Sequence, residues 1–513
     1  MDKPRFRVKA GSSVVPASPA KRAFDAGRNS RRLRGLTTST QAINAQIRSY
    51  GRTVLARSRY LAANNPYAAA AKETFVSALV GSGIKPSSLV AEPALKQAIQ
   101  EAWRDWTDEA DADGLTDLYG FQAIVAAEMF EAGECFVRIR PRRPEDGLSV
   151  PIQLQVLPAE MLPLDDNRSL PSGSRVEMGI EFDAIGRRVA YHFLRQHPGN
   201  DQVFGSFASR TTVVPAAEIL HLFKPFRAGQ IRGIPHTLSA IITAAIMDTY
   251  DDAELERKRT AALFGAFVTN PTPEEDVLKE GADAATADGV TGGVALEPGA
   301  LVELDEGQDV KFAEPADVGG SYEAFQYRNL LRMAAGFGVP YSAMTGDLRQ
   351  TSYGSIRAGL VEFRRRVEAM QHAVMVFQFC RPVWQRWMDE AALSLDLPLS
   401  LSDYLGRKAD FQRVKWITPK WDWIDPLKDR QAEKIAVDEG WKARSDVIEA
   451  EGADPEETDA RIAADQERGR NLEIRAKLKA ASSPPAQQPV DPADDDGEDG
   501  ETPAPKKEPS DGA

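Results

Sequence analysis

The sequence contains few cysteines and histidines, and this scarcity excludes several kinds of site. Its 513 residues include two cysteines, Cys135 and Cys380, and five scattered histidines. A disulfide framework or a cysteine zinc site needs more thiols than this, and no two histidines stand at a metal-ligand spacing. Long apolar runs are missing as well, because "AIITAAIM" at 240–247 falls far short of the roughly 20 residues that cross a bilayer. We predict no cofactor, no metal and no membrane contact.

Motifs for catalysis are also missing. The segment "GSGIKPSS" at 81–88 has a proline after Lys85, where a phosphate-binding loop needs Ser or Thr, so we interpret it as a turn after a helix. The segment "DEADADG" would place Gly120 where a calcium loop requires a bidentate Glu. No Gly-x-Ser-x-Gly elbow is present. We therefore predict no catalytic residue and no enzymatic activity.

Charge is distributed unevenly along the chain, whose formal net charge is -13. Residues 1–60 hold 14 Lys or Arg against two Asp, whereas residues 481–513 hold nine Asp or Glu against two Lys. The acidic end is rich in proline and poor in large apolar residues, so we expect it to be disordered. The basic start is either a solvated arm, a contact with an acidic partner, or a nucleic-acid contact through counterion release.

Between these ends, the hydrophobic pattern alternates between helical and strand periods. Helices are predicted at about 67–80 and over "DLYGFQAIVAAEMFEAGE". Period-two alternation predicts strands in "ECFVRIR", "PIQLQVLP" and "EILHLF", and "IEFDAIGRRVAYHFL" reads as a hairpin turning at 184–186. Residues 65–235 are thus predicted to form a mixed α/β domain.

From His236 onward the pattern becomes helical. Five residues at helical spacing form one stripe on the first predicted helix: Leu238, Ile241, Ile242, Ala245 and Thr249. A second helix is predicted over "YEAFQYRNLLRMAAGFG". The residues between them are broken by Pro and Gly into short strands such as "GALVELD" and "DVKFAE". Two helices are therefore expected to flank a small strand-rich insert.

A polar loop and the longest predicted helix follow. The loop lies between two helices, where it either only connects them or contacts a passing molecule, and its exposed candidates are Arg349, Gln350, Thr351, Ser352 and Tyr353. The helix carries apolar residues at alternating spacings of four and three, a short heptad seam that we expect to end at Arg381 and Pro382. Such a seam predicts packing within the chain or between subunits, and its first members are Ile356, Leu360, Phe363, Val367 and Met370.

Five segments in a fixed order indicate a family. They are "NNPYAAAAKETFVSALVGSGIKP", "GFQAIVAAEMFEAGECFVR", "VPAAEILHLFKPFRAGQIRGIP", "GDLRQTSYGSIRAGLVEFRR" and "PKWDWIDPLKDRQAE". Together they resemble the lambda-type family of tailed bacteriophage portal proteins, the head-to-tail connectors. The resemblance covers roughly residues 30–470. No segment is diagnostic alone, and the order of all five carries the resemblance.

The resemblance implies a structural role in the virion. Portal proteins of this type form a ring, typically of about twelve subunits with cyclic symmetry, at one vertex of the capsid. Double-stranded DNA passes through the ring during packaging and ejection. The implied partners are the terminase large subunit, the major capsid and scaffold proteins, and the head-tail joining proteins. Assembly in the host cytoplasm and residence in the virion follow from this role.

The resemblance also implies an α+β portal-type fold with named regions. These are a basic flexible arm (1–29), a mixed α/β wing (30–235), a stem helix (236–265), a clip (266–318), a second stem helix (319–338), a tunnel loop (339–355), a long helix that completes the wing (356–424), a helical crown (425–480) and an acidic disordered tail (481–513).

Site residues are expected in three places. Carboxylates lining a channel repel phosphates and let DNA slide, and the stem helix offers Asp252, Glu254 and Glu256. The loop from Arg349 to Tyr353 is expected to face the DNA, and the stripe that starts at Ile356 is expected to contact a neighbouring subunit. Two alternatives stay open: a DNA-binding scaffold that uses the basic N-terminal arm, and a head-maturation enzyme whose site is assembled in space.

Overall fold

The computed structural model describes residues 40–171, 173–200, 211–262, 266–269, 309–312, 321–349, 352–395, 397–421 and 426–471. The chain divides into two compact units, residues 1–424 and 425–513. The predicted arm, most of the predicted clip and the predicted acidic tail lie outside the described residues, so those predictions are not addressed by the structure.

The described helices of the first unit are α1 (Ile43–Asn64), α2 (Pro66–Leu79), α3 (Pro93–Thr107), α4 (Leu118–Ala132), α5 (Ile241–Ala262), α6 (Ser321–Phe337), α7 (Tyr341–Thr345), α8 (Tyr353–Met370), α9 (Arg381–Ser394), α10 (Leu401–Gly406) and α11 (Lys408–Phe411). A π-helix, Gln371–Cys380, joins α8 to α9. The second unit contains α12 (Pro426–Asp438), α13 (Arg444–Ala450) and α14 (Pro455–Asn471).

The described strands are β1 (Lys85–Ser88), β2 (Glu134–Pro141), β3 (Ile152–Leu157), β4 (Arg168–Ser169), β5 (Arg175–Glu177), β6 (Ile180–Phe182), β7 (Arg188–Leu194), β8 (Thr211–Pro215), β9 (Ile219–Phe223), β10 (Ala266–Thr269), β11 (Asp309–Phe312) and β12 (Val414–Ile417). They pair antiparallel in sheets of order β3-β2-β9 and β4-β5-β6-β7-β8, and as the pairs β1-β12 and β10-β11. The α+β fold class is confirmed.

Local signals explain the helices and strands that the sequence predicts. Asn65 caps α2 by accepting a hydrogen bond from the backbone of Ala68, and Asp117 caps α4 in the same way. Helix α4 ends at Gly133, whose φ of 79° suits glycine and whose missing Cβ leaves room for the backbone of Ile234. The predicted helices at α2 and α4, the β6-β7 hairpin and strands β2, β3 and β9 are confirmed.

The main core joins helices that are distant in sequence. Trp103 and Trp106 of α3 pack against Trp384 and Trp387 of α9, with ring centroids 4.9 to 6.3 Å apart. All four side chains are buried, so α9 is anchored at the centre of the first unit. The predicted end of the heptad seam at Arg381 and Pro382 is not the end of the helix. Proline is tolerated there because it lies in the first turn of α9, after the π-helix.

Helix α1 (Ile43–Asn64) was not predicted, because most of its residues fall in the basic segment 1–60, which we interpreted as an arm or a contact with a partner. It packs on α2 and α4, and Arg59 forms ion pairs with Glu128, Glu131 and Glu160 at 2.5 to 2.9 Å. The charge of Arg59 is thus neutralised by carboxylates of the same chain and is not available to a partner. Helix α3 was not predicted either, although Pro93 stands in its first turn.

Helix α5 forms as predicted, but of the predicted stripe on this helix only Ile241 packs against the core. The face that packs in the core is built from Ala240 just before the helix, Ala244 and Met247. Ile242 of the predicted stripe is 72% exposed instead. The physical reason is close helix packing, since a Cβ at Gly336 of α6 would lie 3.0 Å from the Cβ of Ala240. Small side chains on both helices make this approach possible.

Candidate channel and subunit-contact surfaces

Helices α5 and α6 form an antiparallel pair. At one end the Ser239 hydroxyl donates to the carbonyl of Gly336 at 2.9 Å. At the other end, Asp251 accepts a hydrogen bond from the Tyr322 hydroxyl at 3.2 Å and another from Gln326. The contacts at both ends fix how the two helices are aligned along their axes. The β10-β11 pair lies between them in sequence, so the described residues of this stretch run in the order helix, strand, strand, helix.

The three predicted channel-lining carboxylates do not share one face of α5. Glu254 is buried, with 6% exposure, and its carboxylate forms an ion pair with the guanidinium of Arg257 at 2.5 Å. Asp252 and Glu256 stand four residues apart and are both exposed, and Glu256 lies 3.7 Å from Arg259. The part of the acidic surface that can face a channel therefore consists of Asp252 and Glu256. Their lining role stays a prediction.

Negative charge is concentrated near the middle of α5. Partial burial, together with the neighbouring Asp251 and Asp252, raises the pKa of Asp248. This shift occurs although the Asn65 amide donates a 2.6 Å hydrogen bond to the Asp248 carboxylate. Three aspartates within five residues thus build the negative local field that the channel hypothesis requires.

The loop before α8 is held by Arg349, the predicted DNA contact. The Arg349 guanidinium pairs with Asp347 at 3.0 Å and with Glu323 of α6 at 3.2 Å. The side-chain and backbone hydrogen bonds of Arg349 hold the pKa of Asp347 well below its usual range. Ser352 is the N-cap of α8 and Tyr353 is its first residue. The other two predicted loop residues, Gln350 and Thr351, lie outside the described residues.

The predicted subunit-contact stripe is shared between the core and the surface. Phe363, Val367 and Met370 have exposures of 5 to 8% and belong to the main core of their own chain. Ile356 and Leu360 are only half-buried. A contact with a neighbouring subunit is therefore open to the first two members of the stripe, for which it stays a prediction.

A buried ionic network links the two larger sheets, and we did not predict it. Glu134 accepts hydrogen bonds from the Arg232 guanidinium at 2.6 Å, from the Gly233 backbone at 2.6 Å and from His221 Nε2 at 3.0 Å. Arg232 also donates to the backbone carbonyls of Leu162 and Met178. The donors of Arg232 are thus bonded within the fold, which gives the network a stabilising role.

The described residues bring no group of three or more His, Cys, Asp or Glu side chains together in a way that could hold a metal ion. Burial raises the pKa of Cys135 and of Cys380, so both thiols are protonated at neutral pH. Among the described helices, none is long and apolar enough to cross a membrane.

A match to a known family covers most of the chain. The family described as phage portal protein, lambda family, matches residues 29–371. The chain belongs to the lambda family of phage portal proteins. Its function is therefore that of a phage portal, the connector at the capsid vertex.

Individual portal proteins agree with the family match. The chain is 26% identical to a probable portal protein of Halomonas phage phiHAP-1 over 75% of this chain and 73% of the relative. It is 23% identical to the portal protein of Escherichia phage N15 over 60% of each chain, and 23% identical to portal protein B of Escherichia phage lambda over 51% and 52%. The chain thus spans about half to three quarters of these relatives, all named as portal proteins.

Solved structures similar to this portal protein include a chain from the neck of an empty gene transfer agent particle. That similarity has a TM-score of 0.45 at 14% identity, and covers 79% of this chain and 94% of the other. A portal protein of the HK97 family from Corynebacterium diphtheriae has a TM-score of 0.30 at 11% identity, over 60% and 84%.

Proposed function

We propose that the chain assembles into a closed ring of about twelve copies at one capsid vertex, and that double-stranded DNA enters and leaves the head through the centre of this ring. The observation that carries the proposal is the antiparallel α5-α6 pair, with its acidic middle and the polar loop that follows it. This is the order of elements expected for a stem and a tunnel loop.

The regions of such a portal are assigned to observed elements in the same proposal. Helices α1 to α4, the two larger sheets and the α8-α9 run would form the wing, and α5 and α6 would form the stem. The β10-β11 pair would begin the clip, where terminase and the head-tail joining proteins would dock. The loop from 339 to 355, which includes α7, would be the tunnel loop, and the second unit would be the crown. A boundary between units at 424 and 425 supports the last assignment.

Electrostatics supports passage of DNA through the ring. The chain carries a formal charge of -13, so a ring of these chains has a large net negative charge, which opposes strong binding of phosphates. Asp252 and Glu256 are exposed on the proposed stem, while the exposed Arg349 is paired with two carboxylates. At these positions DNA would meet two carboxylates and an arginine whose charge is compensated, and would therefore slide without being held.

Removal of the gene from the phage tests this function. Infected cells would be lysed and sorted by density, and the DNA content of the heads would be measured, with the intact gene supplied from a plasmid as the control. We expect particles without packaged DNA when the gene is missing, and filled heads when it is supplied. Filled heads in the absence of the gene would contradict the proposal.

A further inference from the structure

Helix α5 leaves its more hydrophobic side exposed. Ile242 is 72% exposed and Ile246 is 62% exposed, although Ala244 and Met247 of the same helix are buried in the core. Together with Arg57 of α1 and Tyr250, this side lines an open groove of about 600 Å³. Contiguous exposed apolar surface on a folded protein marks an interaction site. We name Ile242, Ala245, Ile246, Thr249 and Ala253 the α5 outer face.

Helix α6 exposes a different kind of surface. Its residues Leu330, Met333, Ala334 and Phe337 are buried. On the opposite side of the helix, where the helical repeat of 3.6 residues places them together, Ala324, Arg328, Leu331 and Ala335 are exposed. We name these four residues the α6 outer face.

The two outer faces point away from each other. Helix α5 contacts α6 through Ala240 and Asp251, which lie roughly half a turn of helix from Ile242 and Thr249. On α6, Gln326 contacts α5, and Leu331 lies on the opposite side of the helix from Gln326. The pair therefore presents one outer face to each flank. A closed cyclic ring needs such an arrangement, because each subunit meets its two neighbours through two different surfaces.

The heights of the two faces also match. Because Ala240 lies beside Gly336 and Asp251 beside Gln326, Ile246 and Leu331 stand at nearly the same level of the antiparallel pair. In a ring whose axis is parallel to these helices, residues at the same height along the axis face each other in adjacent subunits. The isoleucines of the α5 outer face would then meet Leu331, and Arg328 would come within one helical turn of Asp252.

The charges at this level are complementary. Arg328 and Asp252 are both exposed, and within the described part of the chain neither of them has an ion-pair partner. A lateral contact between copies would pair them at the rim of an apolar centre, which is the usual anatomy of a protein interface. The apolar centre supplies most of the affinity and the rim charges fix the register.

We propose that the α5 outer face of one subunit packs on the α6 outer face of the next copy, with Ile246 against Leu331 and Asp252 near Arg328. This inference rests on the proposed ring and names its contact in the stem. It also explains why the predicted apolar stripe of α5 is not buried in the single chain.

Cysteine cross-linking tests the apolar contact. The variant I246C/L331C would be oxidised in air with copper phenanthroline. Two Cu(II) complexes accept the two electrons that are released when two thiols lose their protons and form one disulfide, and oxygen reoxidises the copper. The two native cysteines are buried, so the background is low. A disulfide needs Cα atoms within about 7 Å. We expect a ladder of covalent oligomers up to the size of the ring, because each subunit contributes one new cysteine to each neighbour.

Control variants separate the possible outcomes. L255C/L331C places a cysteine on another side of α5, where Leu255 is also exposed, and we expect no ladder from it. If electron microscopy shows rings of I246C/L331C but oxidation produces no ladder, the proposed contact is wrong while the ring stands. If neither variant nor the unmodified protein forms rings, the proposed function fails together with the contact.

Charge exchange tests the rim of the contact. We expect Asp252→Arg and Arg328→Asp each to lower the fraction of protein in rings at low salt, because each places like charges opposite each other. The double variant D252R/R328D restores an opposite pair and should recover the ring fraction of the unmodified protein. A double variant no better than the single ones would show that these two residues do not face each other.

Discussion

Arg349 and Glu323 form an ion pair, with a guanidinium nitrogen 3.2 Å from a carboxylate oxygen, that ties the loop after α7 to the first turn of α6. Both side chains are mostly exposed, so solvent and salt weaken the pair. Asp347 holds the same guanidinium from within the loop. A passing phosphate could therefore compete for Arg349, which makes this pair the place where the loop would respond to DNA.

The substitution Arg349→Glu is the direct test of the loop. It removes the cation, adds a carboxylate beside Asp347 and Glu323, and repels phosphate. We expect intact rings but a severalfold lower amount of packaged DNA per particle, measured after density sedimentation. Arg187→Glu is the matched control, because Arg187 is equally exposed and paired with Asp183 on the β6-β7 turn. Unchanged DNA content in Arg349→Glu particles would remove the loop from the mechanism.

The substitution Leu360→Asp tests the exposed part of the α8 stripe. Leu360 is half-buried in the single chain, so a charge there is tolerated by the fold but costly in a contact with a neighbour. We expect a folded protein that sediments mainly as free subunits. Leu393→Asp is the control on α9, because Leu393 is 66% exposed, and it should still form rings. Rings of the Leu360→Asp variant would exclude this stripe from the subunit contact.

The buried Glu134–Arg232 pair should be the most sensitive ionic contact of the fold. In Arg232→Met, the Glu134 carboxylate stays buried beside His221 without its main counter-charge, which we expect to lower the free energy of unfolding by about 3–5 kcal/mol. The double variant E134Q/R232M removes the uncompensated charge and should recover part of this loss. Arg413→Met at an exposed position should change stability by less than about 0.5 kcal/mol.

Urea unfolding followed by circular dichroism measures these differences. If Arg232→Met were as stable as the unmodified chain, Glu134 would not be buried and charged as described. If the double variant were no more stable than Arg232→Met, the loss would come from the missing arginine contacts with Leu162 and Met178.

The same network predicts a dependence of stability on pH. Burial lowers the pKa of His221 to about 4, even though the ring donates to Glu134. Burial would raise the pKa of Glu134, but Arg232 and His221 lower it to about 2. The unfolded chain therefore binds more protons than the folded chain below pH 6.5. The free energy of unfolding should fall from pH 6.5 to 4 through His221, and from pH 4.5 to 2 through Glu134.

His221→Gln isolates the first of these contributions. The glutamine amide still offers a donor to Glu134 but does not titrate, so the loss of stability between pH 6.5 and 4 should shrink by as much as about 3 kcal/mol. His372→Gln is the control, because His372 is exposed. The unfolding midpoint in urea across this pH range provides the measurement. Equal slopes for the two variants would show that folding does not lower the pKa of His221.

The sequence predicts those elements whose signals are local. Helices α2 and α4 have a capping side chain at one end and a glycine near the other, and the β6-β7 hairpin turns at Gly186. Helix α1 lacks such signals, since no side chain caps it and arginines interrupt its apolar positions. Its place in the fold depends on Arg59, whose three carboxylate partners lie about 70 to 100 residues away.

The orientation of α5 could not be predicted for a different reason. The helix has apolar residues on both sides, and periodicity favours the side with Ile242 over the side with Ala244. Which side of α5 packs in the core depends on Gly336, about 90 residues later. The backbone of α6 comes so close at Gly336 that only small side chains such as that of Ala240 fit beside it. The Glu134, His221 and Arg232 network is also beyond sequence reasoning. The pairing of β2 with β9 brings Glu134 near His221, and the segment after β9 brings in Arg232.

The mass and the electron-microscopic appearance of the purified full-length protein test the central claim most directly. Twelve copies of the 56.1 kDa chain give a mass of about 673 kDa. The account predicts a particle near this mass whose class averages show a ring with a central hole. A stable monomer at every salt and protein concentration, with no ring in the images, would contradict it.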